Sequence, residues 1–221
     1  MQNNLRVVTL DGPAGVGKTT LAKRVAQELS IAYLDTGAMF RIFGWKFGEA
    51  APKMSEEELE AHIAQYSFTL SGIGFDSVLS VNGTPVGDEI RTEEVAALAS
   101  TVAKLPVVRD ALKRVQREIS TQTSLVAEGR DMGSVVFPQA KFKFFLDATA
   151  EERGSRRFKQ LQEMGKPANL DLIISQIKER DMQDRTRSVA PLVAADDAHI
   201  IDTTTLNIDG VFAAIMEHFA E

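Results

Sequence analysis

The sequence predicts an α/β fold in which a five-stranded parallel sheet is flanked by helices on both faces. Three observations predict it. Leu5–Leu10, Ile31–Leu34, Leu125–Glu128, Phe142–Leu146 and His199–Ile201 are short apolar runs with the length of buried strands. Segments of helical periodicity separate them, the rhythm of a parallel sheet covered on both sides. A complete glycine-rich loop stands where the first strand passes into the first helix.

The elements follow in order. The first strand ends at Asp11-Gly12-Pro13, and Leu21, Val25, Ala26 and Leu29 then recur at helical spacing over Lys18–Leu29. After the second strand, Thr36 is a candidate cap for a helix over residues 37–50. In that helix Phe40, Phe43, Trp45 and Phe47 are expected in the core. Residues 52–100 break the rhythm. Ser55, with Glu58 three positions on, is a capping box for a short acidic helix. Tyr66–Leu70 and Ser77–Val81 read as strands, and Asn82-Gly83 before Thr84-Pro85-Val86 is a hairpin turn. The stretch predicts a small α+β insertion, bounded at residues 62–101, within a core of residues 1–61 and 102–221. Thr92–Ala103 reads as a helix, and Pro106 opens another with Val108, Leu112, Val115 and Ile119 on one face. Helices at about 149–164, 170–187 and 207–220 complete the alternation.

Composition narrows the chemistry. The 221 residues carry a net charge of −6, which disfavours a nucleic-acid surface. The absence of cysteine excludes disulfides and thiolate metal sites, and His62, His199 and His218 form no ligand-spaced pair. No apolar run is long enough to span a membrane, and the N-terminus lacks a secretory signal. A cytoplasmic protein without membrane partners is therefore expected, and a monomer, because no exposed apolar seam is visible.

Gly12-Pro13-Ala14-Gly15-Val16-Gly17-Lys18-Thr19 matches the phosphate-binding P-loop pattern in full and sits between a strand and a helix. Glycines let backbone N–H groups turn inward around a phosphate, and the helix N-terminus adds partial positive charge there. Lys18 supplies a full charge to the outer phosphates, and the Thr19 hydroxyl can ligand Mg²⁺. The loop through Thr20 is thus the candidate site for ATP with Mg²⁺, and the fold is that of P-loop nucleoside triphosphatases. The motif does not identify the acceptor.

The guanine-reading and switch motifs of a GTPase are absent. The acid that ends the third apolar run, Glu128, is followed by Gly129-Arg130-Asp131, and an arginine there suits an anionic acceptor better than it suits water activation. A phosphate acceptor is already anionic and needs no general base. It needs positive charge and positioning. Residues 151–187 supply this, with nine Lys/Arg against seven Asp/Glu in an acidic chain. Arg153, Arg156 and Arg157 share one helix face, and Arg180, Asp184 and Arg187 have the spacing of another. The same pattern also describes solvated helices laced by Glu152–Arg156 and Asp181–Arg185 pairs.

The sequence resembles the bacterial cytidylate kinases over nearly its whole length. The resemblance is carried by Leu34-Asp35-Thr36-Gly37-Ala38-Met39-Phe40-Arg41, Glu89-Ile90-Arg91-Thr92, Glu128-Gly129-Arg130-Asp131-Met132-Gly133 and Val135-Val136-Phe137-Pro138. Phe145-Leu146-Asp147-Ala148, Ile177-Lys178-Glu179-Arg180-Asp181, Asp184-Arg185 and Ala190-Pro191-Leu192-Val193 add to it. It implies a core in the adenylate-kinase style, a monophosphate-binding role for the 62–101 insertion and a short lid at 151–168. It implies transfer of the γ-phosphoryl of Mg·ATP to CMP or dCMP. On the family pattern, Thr36, Arg41, Ser100, Arg109, Arg130, Asp131, Arg180, Asp184 and Arg187 bind the acceptor. Arg130 and Asp131, assisted by Ser100, would read cytosine, Arg180 and Asp184 the sugar, and Arg41 and Arg187 the phosphate. Lys18, Arg153, Arg157 and Arg187 would act on the transferring group. Thr36, Phe40 and Glu128 stand where the family commonly has serine, tyrosine and aspartate. Kinases acting on UMP, AMP or shikimate, and a non-catalytic nucleotide-binding module, are the alternatives.

Overall fold

The protein is described by a computed structural model over residues 6–219. The chain runs through β1 (Val7–Asp11), α1 (Lys18–Glu28), β2 (Ala32–Asp35) and α2 (Thr36–Phe47). Next come α3 (Glu56–Ile63), β3 (Phe68–Ser71), β4 (Val78–Val81), β5 (Thr84–Pro85), α4 (Glu93–Val102) and α5 (Pro106–Gln122). The remainder is β6 (Leu125–Gly129), β7 (Phe142–Asp147), α6 (Ala150–Glu163), α7 (Leu170–Thr186), β8 (His199–Asp202) and α8 (Ile208–Glu217). The five strands of the expected parallel sheet stand in the order β2-β6-β1-β7-β8. β3, β4 and β5 form a separate antiparallel sheet. Leu5 and Ala220, within the predicted first strand and last helix, lie outside the described residues.

The chain divides into two compact units, residues 1–7 with 26–128, and residues 8–25 with 129–221. In the first, β2 and β6 pair in parallel from Ala32 opposite Leu125 to Asp35 opposite Glu128. Their residues are almost all buried, as continuous apolar strands require. α2 and α4 pack closely at Gly44, where a Cβ would lie 2.6 Å from the Ala99 nitrogen. Phe43 joins Phe47, Tyr66 and Phe68 in an aromatic cluster. Ser55 and Glu58 form the expected reciprocal capping box on α3. Asn82 and Gly83 both take positive φ, 49° and 77°, and close the β4–β5 hairpin as an Asn-Gly turn should.

Two readings of this unit need correction. Thr36 does not cap α2. Asp35 does, accepting from the Ala38 N–H, while Thr36 is the first helical residue. Trp45 is not core but 45% exposed. The position before it, Gly44, faces α4, so one step of about 100° turns Trp45 outward. There the Lys46 ammonium lies 3.9 Å from its ring centroid.

In the second unit β1 pairs with β7, from Val8 opposite Phe142 to Asp11 opposite Phe145, and β7 pairs with β8. α6 and α7 lie side by side, with Gly154 close against Ile174. Between β6 and β7 the chain makes a π-helical turn, Met132–Val136, directly after Arg130 and Asp131. α7 ends at Thr186, so Arg187 is not on its face as the spacing suggested. Arg187 is the C-cap residue in extended conformation.

Candidate active site

The glycine-rich loop links β1 to α1. Gly12, Gly15 and Gly17 hold φ of 146°, 77° and 94°, a conformation that L side chains rarely adopt. Pro13, Ala14 and Val16 fill the turns between them. Lys18 is buried, and its Nζ donates to the carbonyls of Gly12 (2.8 Å) and Pro13 (2.7 Å). The loop therefore curls around its own ammonium group. Thr19 and Thr20 are exposed in the first turn of α1.

Arg153 braces this loop. Its Nη1 donates to the Ala14 carbonyl at 2.9 Å and its Nε to the Ala148 carbonyl at 3.0 Å. Both guanidinium ends meet the Asp181 carboxylate, Nη1–Oδ1 at 3.0 Å and a closer Nη2–Oδ2 pair. The fork geometry is the strong form of the Arg–carboxylate pair, which a buried arginine requires. Arg156 is held by Glu152 and donates to the Thr203 carbonyl at 2.6 Å. Arg157 donates to Gln160 and lines a cavity of about 340 Å³ with Gly15, Gly17, Thr203, Asn207 and Ile208.

A second group of charges gathers about one turn further along α7 from Asp181. Arg130 Nε donates to Asp184 at 2.9 Å, and Arg187 approaches Asp131 at 3.6 Å and Asp184 at 4.0 Å. Arg187 Nε also donates to the Ala190 carbonyl at 2.5 Å. Burial raises the affinity of Asp184 for a proton. Arg130, by charge and hydrogen bond, with Arg187 and Arg180, more than offsets this and holds the carboxyl below its usual range. Two cations and two carboxylates thus alternate. Asp131 thus faces Arg187, a residue distant in sequence.

The first unit carries the other predicted acceptor residues. Thr36 is buried, and its hydroxyl donates to the Glu128 carbonyl at 2.6 Å. Arg41 donates to the carbonyls of Ile90 (3.0 Å) and Thr92 (3.4 Å). The Ser100 hydroxyl bonds back to the Ala96 carbonyl at 3.1 Å. Arg109 is buried, with its guanidinium 5.5 Å from the Phe40 ring centroid.

Sequence reasoning missed Asp11, Asp181 and Lys143. Asp11 reads as a turn residue, yet it is buried and accepts from Met132 N–H (2.8 Å) and Gly133 N–H (2.7 Å). Burial pushes its carboxyl up to about 6. The two N–H groups oppose the shift, the Asp131 charge adds to it and Lys18 reduces it. The folded chain therefore binds this proton more tightly than the unfolded chain. Stability should fall as pH rises from about 4 through 6, because the ionised form is the one burial penalises. Two pH units correspond to about 3 kcal/mol. Urea unfolding of the wild type and Asp11→Asn at pH 4 and 7 should show the wild type losing stability relative to the variant by about this order. The lowered carboxylates, Asp184 among them, act with the opposite sign and in a lower window.

An open phosphate loop, an adjoining cavity and concentrated arginine charge define a P-loop phosphotransferase acting on an anionic acceptor. Comparison with known proteins agrees. The family model for cytidylate kinase matches residues 8–221. The cytidylate kinase of Oleidesulfovibrio alaskensis is 61% identical over 210 residues, covering 95% of this chain and 96% of that protein. Those of Maridesulfovibrio salexigens and Nitratidesulfovibrio vulgaris are 59% and 58% identical, each covering 92% of the relative and 93% and 97% of this chain. The chain belongs to the cytidylate kinase family.

Proposed function

We propose that the protein transfers the γ-phosphoryl group of ATP to CMP and dCMP, giving ADP and the corresponding diphosphate. The observation that carries this reading is the family match over residues 8–221 on a chain whose phosphate loop is intact. The acceptor oxygen is already an anion near neutral pH, so the demand on the protein is to cancel charge and align the two phosphates in line.

The loop amides and Lys18 hold the donor. To do so Lys18 exchanges the carbonyls of Gly12 and Pro13 for phosphate oxygens. The exposed Thr19 hydroxyl, a hard oxygen donor at the start of α1, fits Mg²⁺, which takes few protein ligands and keeps phosphates and waters for the rest. When bound, that ion neutralises charge on the outer phosphates. Arg130 and Asp131 are assigned to cytosine with Ser100, Arg180 and Asp184 to the sugar, and Arg41 and Arg187 to the acceptor phosphate. Thr36 and Arg109 complete the acceptor set. Residues 62–101 are assigned as the monophosphate-binding insertion and 151–168 as the lid, with Arg153 and Arg157 on the transferring group. For Arg153 this means exchanging the Asp181 carboxylate for phosphoryl oxygens, one anionic partner for another.

The lid assignment has its own test. Arg157→Ala should lower kcat on the order of 100-fold while leaving KM for CMP within about 3-fold, as loss of a contact made only in the transition state requires. Equal losses in kcat and CMP affinity would contradict it. The function itself is tested by a coupled assay of ADP release across CMP, dCMP, UMP, AMP and shikimate. The cytidine nucleotides should give the highest kcat/KM, and a preference for any of the other three would overturn the reading.

A further inference from the structure

Asp11 ends β1, directly before the first glycine of the phosphate loop, and its carboxylate serves a segment 121 residues away. Its two oxygens accept the N–H groups of Met132 and Gly133, the first two residues of the π-helical turn. The leading N–H groups of any helical turn lack partners within it. Here one carboxylate satisfies two of them at 2.8 and 2.7 Å. The residues immediately before these are Arg130 and Asp131.

The far end of the same stretch is also held. Lys143, buried on β7, donates to the Pro138 carbonyl at 2.6 Å and to both oxygens of Asp197 at 2.8 and 2.6 Å. There is no spare room at the near end. A Cβ on Gly133 would lie 2.9 Å from Thr9 Oγ1, 3.2 Å from Lys143 Cδ and 3.4 Å from Asp11 Oδ2. Such π turns occur often at functional sites. Burial opposes the ionisation of the Asp11 carboxyl, and perturbed carboxylates of this kind cluster at functional sites.

We propose that Asp11 is a positioning residue for acceptor recognition, fixing Arg130 and Asp131 relative to the phosphate loop by clamping the amides that follow them. The proposal rests on the assignment of Arg130 and Asp131 to the cytosine ring. One rigid group thus joins the base of the donor loop to the segment assigned to the acceptor base, within one unit. An asparagine keeps the size of Asp11 but turns one oxygen into an NH2 that meets an N–H donor. The turn must then shift, and Arg130 and Asp131 shift with it.

Steady-state kinetics of the full chain at pH 7.5 test this with Asp11→Asn and with Gly133→Ala, which crowds the same contact from the other side. Both variants should raise KM for CMP at least about 10-fold and narrow the CMP-over-UMP ratio of kcat/KM. KM for ATP should stay within about 2-fold, since the loop keeps its own contacts. A folded Asp11→Asn whose CMP KM and CMP-over-UMP ratio match the wild type would overturn the proposal, as would a loss falling on ATP KM instead. If Asp11→Asn does not fold, Gly133→Ala decides by the same criteria. Failure of the functional reading is separately visible, as absence of CMP-dependent ADP release by the wild type.

Discussion

Replacing Lys18 by methionine should lower kcat/KM on the order of 1,000-fold and leave a folded protein. The size follows from what the group does. A charge aimed at the transferring phosphoryl group in a site with little water is worth several kcal/mol, and losing one such donor costs roughly 100- to 1,000-fold in rate. The fold should survive because two hydrogen bonds of Nζ go to carbonyls of the loop itself, Gly12 and Pro13, and methionine fills most of the same space. Methionine nearly keeps the length of the side chain and removes the charge together with the N–H donors. The measurement is kcat/KM for ATP at saturating CMP beside a circular dichroism spectrum. A variant within 10-fold of the wild type would show that the loop works without its ammonium group.

Gly12→Ala should damage both stability and activity. A Cβ at this position would lie 2.1 Å from the Leu146 carbonyl oxygen and 3.1 Å from the Leu146 carbonyl carbon. Both neighbours are backbone in the strand that pairs with β1, so no side chain can step aside. The φ of 146° is unfavourable for alanine as well. Either the end of the β1–β7 ladder opens or the loop rotates away from its phosphate-binding shape. A loss of about 3 kcal/mol or more is expected. At this chain length that lowers Tm by roughly 10 °C, with ATP binding reduced alongside. Gly83→Ala is the control. It too has positive φ, 77°, but nothing lies within 4 Å of its added Cβ, so only backbone strain of about 1 kcal/mol is expected. Equal melting temperatures for the two variants would show that the close approach at Leu146 carries no weight.

Much of this was readable from the residues. The phosphate loop was complete because its chemistry is local, with glycines, lysine and threonine all within one turn of chain. The Ser55 capping box and the Asn82-Gly83 hairpin were readable for the same reason. What was not readable depends on partners distant in sequence. Asp11 looks like turn punctuation until Met132 and Gly133 are placed against it. Arg153 and Asp181 look like members of separate charged helices until α6 and α7 lie together. Arg109 shares a basic helix face with Lys113 and Arg117, and nothing in that spacing says that only Arg109 is buried. Trp45 failed for another reason. Residue type argued for the core, but the position of Gly44 on the helix wheel decided the matter. Arg187 missed its helix face because α7 stops one residue earlier.

The account rests on an anionic acceptor drawing the γ-phosphoryl group from ATP held on the Lys18 loop. ADP release by the purified chain with Mg·ATP, followed with and without CMP, tests this most directly. Release should rise steeply on addition of CMP and stay near background without it. A rate that CMP leaves unchanged would contradict the account.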